Sequence, residues 1–284
     1  MEVRAFFEPR TSTLTYVVWD AETRDAVVID PVLDYDPAAV AIDTVSVQQV
    51  LSFVEEQRLK VHYLIDTHVH ADHLTGALAL KEKLGGRTVI GEHITEVQST
   101  FAPMFGWNGT FRADGSQWDV LARDGQPLQA GSLTLIPIHT PGHTPACVTW
   151  RIGDALFTGD TLFMPDFGTG RCDFPGGSAE ALYDSITRLY ALPDETRVFV
   201  GHDYQPGGRE LVYETTIAAC KAQNKQLRGD TARDEFVTWR KERDATLKPP
   251  ALLFQSLQVN AKGGELPEPD KNGVRYMRLP MNQL

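Results

Sequence analysis

The apolar run Val61-His62-Tyr63-Leu64-Ile65 passes directly into Asp66-Thr67-His68-Val69-His70-Ala71-Asp72-His73, which crowds four imidazole or carboxylate groups into six positions at the end of a strand-like segment. Burying such groups without partners costs several kcal/mol each. The fold must therefore bring this loop to a place where a cation, or other polar groups, can meet it. Imidazole and carboxylate are the usual ligands of first-row divalent metals, and alternation along the loop lets His68 and His70 point the same way. His62 and His93 stand alone, and an isolated histidine is ordinarily a hydrogen-bonded core or surface residue, so neither is assigned a ligand role.

Three later segments repeat the pattern of chemistry at a strand end. His143 lies in Thr140-Pro141-Gly142-His143-Thr144, where Pro and Gly fix a turn between two strand-like runs. Gly159-Asp160 closes the short apolar run 155–158, and Gly201-His202-Asp203-Tyr204 closes the run 197–200. A rigid scaffold that gathers such ends can hold an ion with positions left open for a substrate.

Alternating apolar residues predict strands at 3–8, 13–19, 26–30, 61–65, 88–90, 133–138, 146–152, 155–158 and 197–201. Helical spacing predicts helices at 45–59, 74–84 and 178–192, the last capped by Ser178. Polar helices are expected at 210–228 and 233–243, followed by a tail containing Pro249-Pro250. Mixed strands and helices with function at strand ends point to an α/β layered fold. The change of character near 208 suggests a catalytic core over 1–207 and a helical extension over 208–284 packed on it.

The T-H-x-H-x-D-H run, the T-P-G-H-T turn, the G-D at a strand end and the late G-H together resemble the metallo-β-lactamase fold superfamily, in its glyoxalase II and persulfide dioxygenase branch. The likeness covers roughly 1–228. It implies an αββα four-layer sandwich, two mixed sheets face to face with helices outside and the site at one edge. It also implies an enzyme, with two alternative metal assignments. In the persulfide dioxygenase reading, one Fe(II) per chain is held by His68, His143 and Asp160. His70, Asp72, His73 and His202 then orient ligands or handle protons, and glutathione persulfide, or a related low-molecular-weight persulfide, is oxidised with O2 to sulfite and glutathione. In the glyoxalase II reading, two zinc ions share Asp160, one with His68, His70 and His143, the other with Asp72, His73 and His202, and a thioester is hydrolysed.

Two details favour the dioxygenase. His202-Asp203-Tyr204 is similar to the H-D-Y of that branch, where glyoxalase II has H-E-Y-T, and Gly170-Arg171-Cys172-Asp173-Phe174 is similar to its G-R-x-D-F. The resemblance thereby gives Arg171 and Tyr204 roles in substrate binding, with Tyr204 also beside the metal. The stretch from Asp160 to Arg171 is longer than in the best-known members and lacks their G-C-G-R. Nothing basic at fixed spacing marks Cys172 as a nucleophile.

The formal charge of −11 disfavours phosphate-backbone binding, so no nucleic-acid partner is expected. No apolar stretch approaches a membrane span. Three scattered cysteines form neither a disulfide framework nor a Cys-x-x-Cys pair, which fits a reduced, cytoplasmic setting. The tail 259–284 is expected to lie on the surface or to make a homodimer contact.

Overall fold

The structure, a computed structural model, describes residues 1–107, 109 and 111–283. Two six-stranded sheets form its centre. The first runs Glu2–Glu8, Thr13–Trp19, Asp25–Ile29, Lys60–Ile65, Arg87–Gly91, Val120–Ala122 in spatial order. Its first three strands pair antiparallel and its remaining pairs are parallel. The parallel connections carry the helices Val45–Glu56, Ala77–Leu84 and Ile94–Phe101, as such connections require. The second sheet runs Leu128–Ala130, Leu133–His139, Val148–Ile152, Ala155–Phe157, Arg197–Phe199, Glu214–Thr216.

Side-chain alternation explains the layers. Tyr16, Val18, Ile29 and Ile65 point from the first sheet into a core shared with Leu135, Trp150, Ile152, Phe157 and Phe199 of the second. Their neighbours Val17, Val28 and Leu64 point the other way, onto Val47, Val50, Val54 and Leu80 of the two helices. Strands buried on both faces read as continuous apolar runs. Beyond the second sheet lies the helix Ala179–Tyr190, whose Leu182, Ile186 and Leu189 are fully buried. Ser178 caps it by accepting the Ala181 amide at 3.1 Å, a contribution of about 1 kcal/mol. This is the αββα sandwich expected from the motifs.

Three expectations are corrected. The segment 210–228 is not one helix. Glu214–Thr216 pairs as an edge strand with Arg197–Phe199, and a helix spans only Ile217–Gln223, because Thr216 turns the chain and accepts the Ala219 amide as its cap. The helix expected at 74–84 begins at Ala77, since Leu74–Thr75 pairs with Val32–Leu33. The tail, to which no element was assigned, contains a helix, Leu253–Asn260. No helix among the described residues is long and apolar enough to cross a membrane.

Two glycines let the strand ends converge. Gly159 has φ +49°, and a Cβ there would lie 2.4 Å from the Thr67 hydroxyl. A Cβ on Gly201 would lie 2.9 Å from the Gly159 carbonyl carbon. Any side chain at either position would force apart the loops that carry His68, Asp160 and His202. Tyr16 fixes the same corner by donating its hydroxyl to the Val200 carbonyl at 2.7 Å.

Candidate metal centre

The strand Lys60–Ile65 ends in the loop 66–73, Ala155–Phe157 in Gly159-Asp160, and Arg197–Phe199 in Gly201-His202. His143 enters from the turn after Leu133–His139. Together they bring His68, His70, Asp72, His73, His143, Asp160 and His202 to one edge of the sandwich. His143 Nε2 lies 3.5 Å and His68 Nε2 3.9 Å from Asp160 Oδ2. His202 Nε2 lies 3.3 Å from Asp160 Oδ1 and 3.5 Å from Asp72 Oδ2.

The outer nitrogen of every ring is occupied, which fixes what the inner one can do. His143 Nδ1 donates to the Arg171 carbonyl at 2.7 Å, and His202 Nδ1 to the Ser12 carbonyl at 3.2 Å. Thr67 gives its hydroxyl proton to Asp30 at 2.8 Å, so its oxygen accepts from His68 Nδ1 at 3.0 Å. Asp30 also takes the Thr67 amide at 2.7 Å and His70 Nε2 at 3.0 Å. His73 Nδ1 sits 3.1 Å from Asp72. In neutral imidazole the other nitrogen then carries a lone pair. Of these, His68 Nε2, His70 Nδ1 and His73 Nε2, together with Asp160 Oδ1, are buried and have no hydrogen-bond partner among the described residues.

Those orphaned atoms test whether the residues suit a metal. Each costs about 1–3 kcal/mol if left unsatisfied. The atoms of His68, His143 and Asp160 lie within 4.8 Å of one another, as do those of His70, Asp72 and His73. Ligand atoms each about 2.0–2.2 Å from one ion would stand roughly 3.0–3.5 Å apart, so the first triad needs little adjustment to share a cation. Two imidazoles and a carboxylate suit iron, zinc or manganese.

Electrostatics follow the same division. Burial, reinforced by His70, holds His68 well below the ordinary histidine value, so it is neutral. Burial also opposes a charge on His202, but Asp160 and Asp72 outweigh it and raise that ring to about 10. His70 reaches about 9 in the same way, through Asp30. Burial disfavours ionised Asp72 and Asp160 as well, yet the surrounding histidines keep both well below the usual carboxylate range.

A cavity of about 510 Å³ opens onto Asp72, His143 and Asp160. Tyr204 lines it, stacked on His202 with ring centroids 5.4 Å apart and against Phe167 at 4.6 Å. Arg171 lines it too, but its guanidinium forms an ion pair with Asp173 and donates to the Lys248 carbonyl at 2.8 Å. Its backbone carbonyl is what holds His143. Cys172 is buried, and burial pushes its thiol far up, away from nucleophilic reactivity. His62 pairs with Asp25 at 2.6 Å and His93 with Glu96 at 2.7 Å, both away from the metal cluster.

Two residues that matter here were not singled out from the sequence. Asp30, read only as a strand stop, anchors the His68 and His70 loop from below; its signal is a carboxylate ending an apolar run, the same signal that marked Asp160. Asn260 donates to the carbonyls of His70 at 2.8 Å and His73 at 2.7 Å. Nothing local in the sequence marks it, because its partners lie 190 and 187 positions away.

Comparison with known proteins agrees with this geometry. The family model of the metallo-beta-lactamase superfamily matches residues 9–202. A Burkholderia pseudomallei protein named "Probable metallo-hydrolase" is 45% identical over 100% of both chains. Glyoxylase B2 of Dictyostelium discoideum is 42% identical over 100% of this chain and 98% of its own. Bovine mitochondrial persulfide dioxygenase ETHE1 is 36% identical over 71% of this chain and 68% of its own. The crystal structure of ETHE1 from Myxococcus xanthus superposes with a TM-score of 0.74 at 36% identity, covering 93% of this chain and 100% of the other. With the site's ligand-type residues at the ends of the sandwich strands and the family model covering the stretch that bears them, the chain belongs to the metallo-beta-lactamase superfamily.

Proposed function

We propose that the protein is an iron-dependent persulfide dioxygenase, with one Fe(II) held by His68, His143 and Asp160. The observation that carries this reading is the difference between two sets of groups. His68, His143 and Asp160 turn ligand atoms toward a common point without hydrogen-bonding one another, whereas Asp72 is already engaged by His73 at 3.1 Å. The H-D-Y and G-R-x-D-F segments and the likeness to ETHE1 support it. Fe(II) there would supply open coordination positions and redox chemistry toward dioxygen and a sulfur anion.

The overall reaction takes one persulfide, one dioxygen and one water to thiol and sulfite. Four electrons leave sulfur and reduce dioxygen, the sulfur–sulfur bond breaks, and two protons are released. The chain's residues serve it in three ways. Tyr204, Phe163 and Phe167 wall the cavity with rings that limit water. His202 Nε2, between Asp160 and Asp72, holds a proton beside the reacting groups. Arg243 meets an anionic substrate. Among the arginines lining the cavity, Arg10 is paired with Glu8 and Asp34, Arg171 with Asp173 and Arg240 with Asp244, while Arg243, among the described residues, bonds only the Thr246 hydroxyl. A carboxylate of the thiol carrier finds its free cation there.

Metal analysis coupled to an oxygen electrode tests the reading. Close to one iron per chain, with oxygen uptake and sulfite formation from glutathione persulfide, is expected. Two zinc ions per chain with thioester hydrolysis and no oxygen uptake would replace it by the dinuclear reading, which the orphaned His70 Nδ1 and His73 Nε2 favour. Arg243→Ala should raise KM by about two- to five-fold with kcat unchanged, as expected for an exposed ionic contact, and the difference should shrink at high salt.

A further inference from the structure

We infer that the helix Leu253–Asn260, which lies outside the stretch matched by the superfamily model, is coupled to the metal centre through Asn260, and that metal binding and docking of this helix support each other. The first ground is hydrogen bonding. Asn260 is buried, and its side chain is fully used by the ligand loop: Nδ2 donates to the carbonyls of His70 and His73, and Oδ1 accepts the Thr75 amide at 2.8 Å. One amide therefore fixes the backbone at both ends of the run that contains His70, Asp72 and His73. The asparagine is specific for the task, because the loop offers two acceptors and one donor. An aspartate would face two carbonyl oxygens with a negative charge.

The second ground is packing. The spacers Val69 and Ala71 alternate with His68 and His70 and join an apolar cluster with Leu253, Leu257 and Ala261, Ala71 also lining the cavity. The helix thus forms the floor on which the ligand loop rests, and a loop free to shift would move its imidazoles off a shared ion. Supports of this kind typically change metal affinity by about 10- to 100-fold when removed. Linkage makes the effect reciprocal: whatever the docked helix adds to metal affinity, bound metal adds to docking. Asn260 is accordingly a positioning residue, and the inference holds for one ion or two.

Two measurements test it. In the first, metal affinity of the purified full chain is measured by chelator competition, for iron and for zinc, in wild type, Asn260→Ala, Asn260→Asp and Gln98→Ala. Gln98 bonds the Ala261 carbonyl at the same helix end, at 2.9 Å, without touching the ligand loop. Both Asn260 variants should lose about 10- to 100-fold in affinity and Gln98→Ala less than about three-fold. Equal losses in the Asn260 and Gln98 variants, or none, would overturn the coupling. In the second, which needs no variant, hydrogen exchange of wild type is compared with and without metal. Amides of 253–264 should exchange at least ten-fold more slowly when metal is bound; equal rates overturn the inference. Neither readout involves turnover, so either can fail while the dioxygenase reading stands, and the reverse.

Discussion

The corner holding His68, His143 and Asp160 and the corner holding Asp72, His73 and His202 are made of the same residue types, yet their carboxylates are engaged differently. In the first, the contacts between ligand atoms are 3.5 and 3.9 Å, too long for hydrogen bonds and suited to an ion between them. In the second, His73 Nδ1 lies 3.1 Å from Asp72, and the Thr13 hydroxyl reaches Asp72 at 3.4 Å. Asp72 thus finds partners within the second corner, while His73 Nε2 there and His68 Nε2 in the first corner are left without one among the described residues. The difference teaches that ligand-type residues gathered at one edge need not all be placed alike, since a carboxylate can also orient and charge the rings beside it.

The largest effect that sharpens this contrast is expected for His143→Ala. Removing one member of a three-ligand set should abolish metal occupancy and oxygen uptake together, read by metal analysis on the folded variant. His202→Ala should keep its iron and lose about 10- to 100-fold in rate, since it alters groups around the ligands. If both variants lost metal equally, the two corners would be one dinuclear site and the contrast would collapse.

A smaller effect concerns pH. In metal-free protein His202 has its pKa raised from 6.5 to about 10 by Asp160 and Asp72 against the opposing effect of burial. A raised histidine stabilises the fold fully below the unfolded value, so its contribution is complete below pH 6.5 and lost as pH rises to about 10. The Tm of metal-free wild type should fall by a few degrees across that interval. His202→Ala should show a flatter profile, and the same slope in both proteins would remove His202 from the second corner's network.

The cluster of ligand-type residues was legible because chemistry and topology coincide there: His68, His143, Asp160 and His202 each follow an apolar run that must end where it does. The sandwich was legible through the same motifs and through alternation in segments such as 13–19. What could not be read depended on distant pairing. The stretch 214–216 has the composition of a helix start but is captured as an edge strand by Arg197–Phe199. The Arg171 side chain, which lines the cavity, pairs locally with Asp173 and also donates to the Lys248 carbonyl, a contact 77 positions away that the sequence does not show. Asp30 carried a readable signal that its proline neighbour obscured.

The contacts from Ser12 to His202 and from His70 to Asn260 each span 190 positions. A chain emerging from the ribosome therefore exhibits its H-x-H-x-D-H loop long before His202 and Asn260 have been synthesised. During that interval the loop can bind whatever divalent ion is abundant, by ligand chemistry alone and with little discrimination. The full set of ligand-type side chains, with the amide that braces their loop, is complete only in the last part of translation.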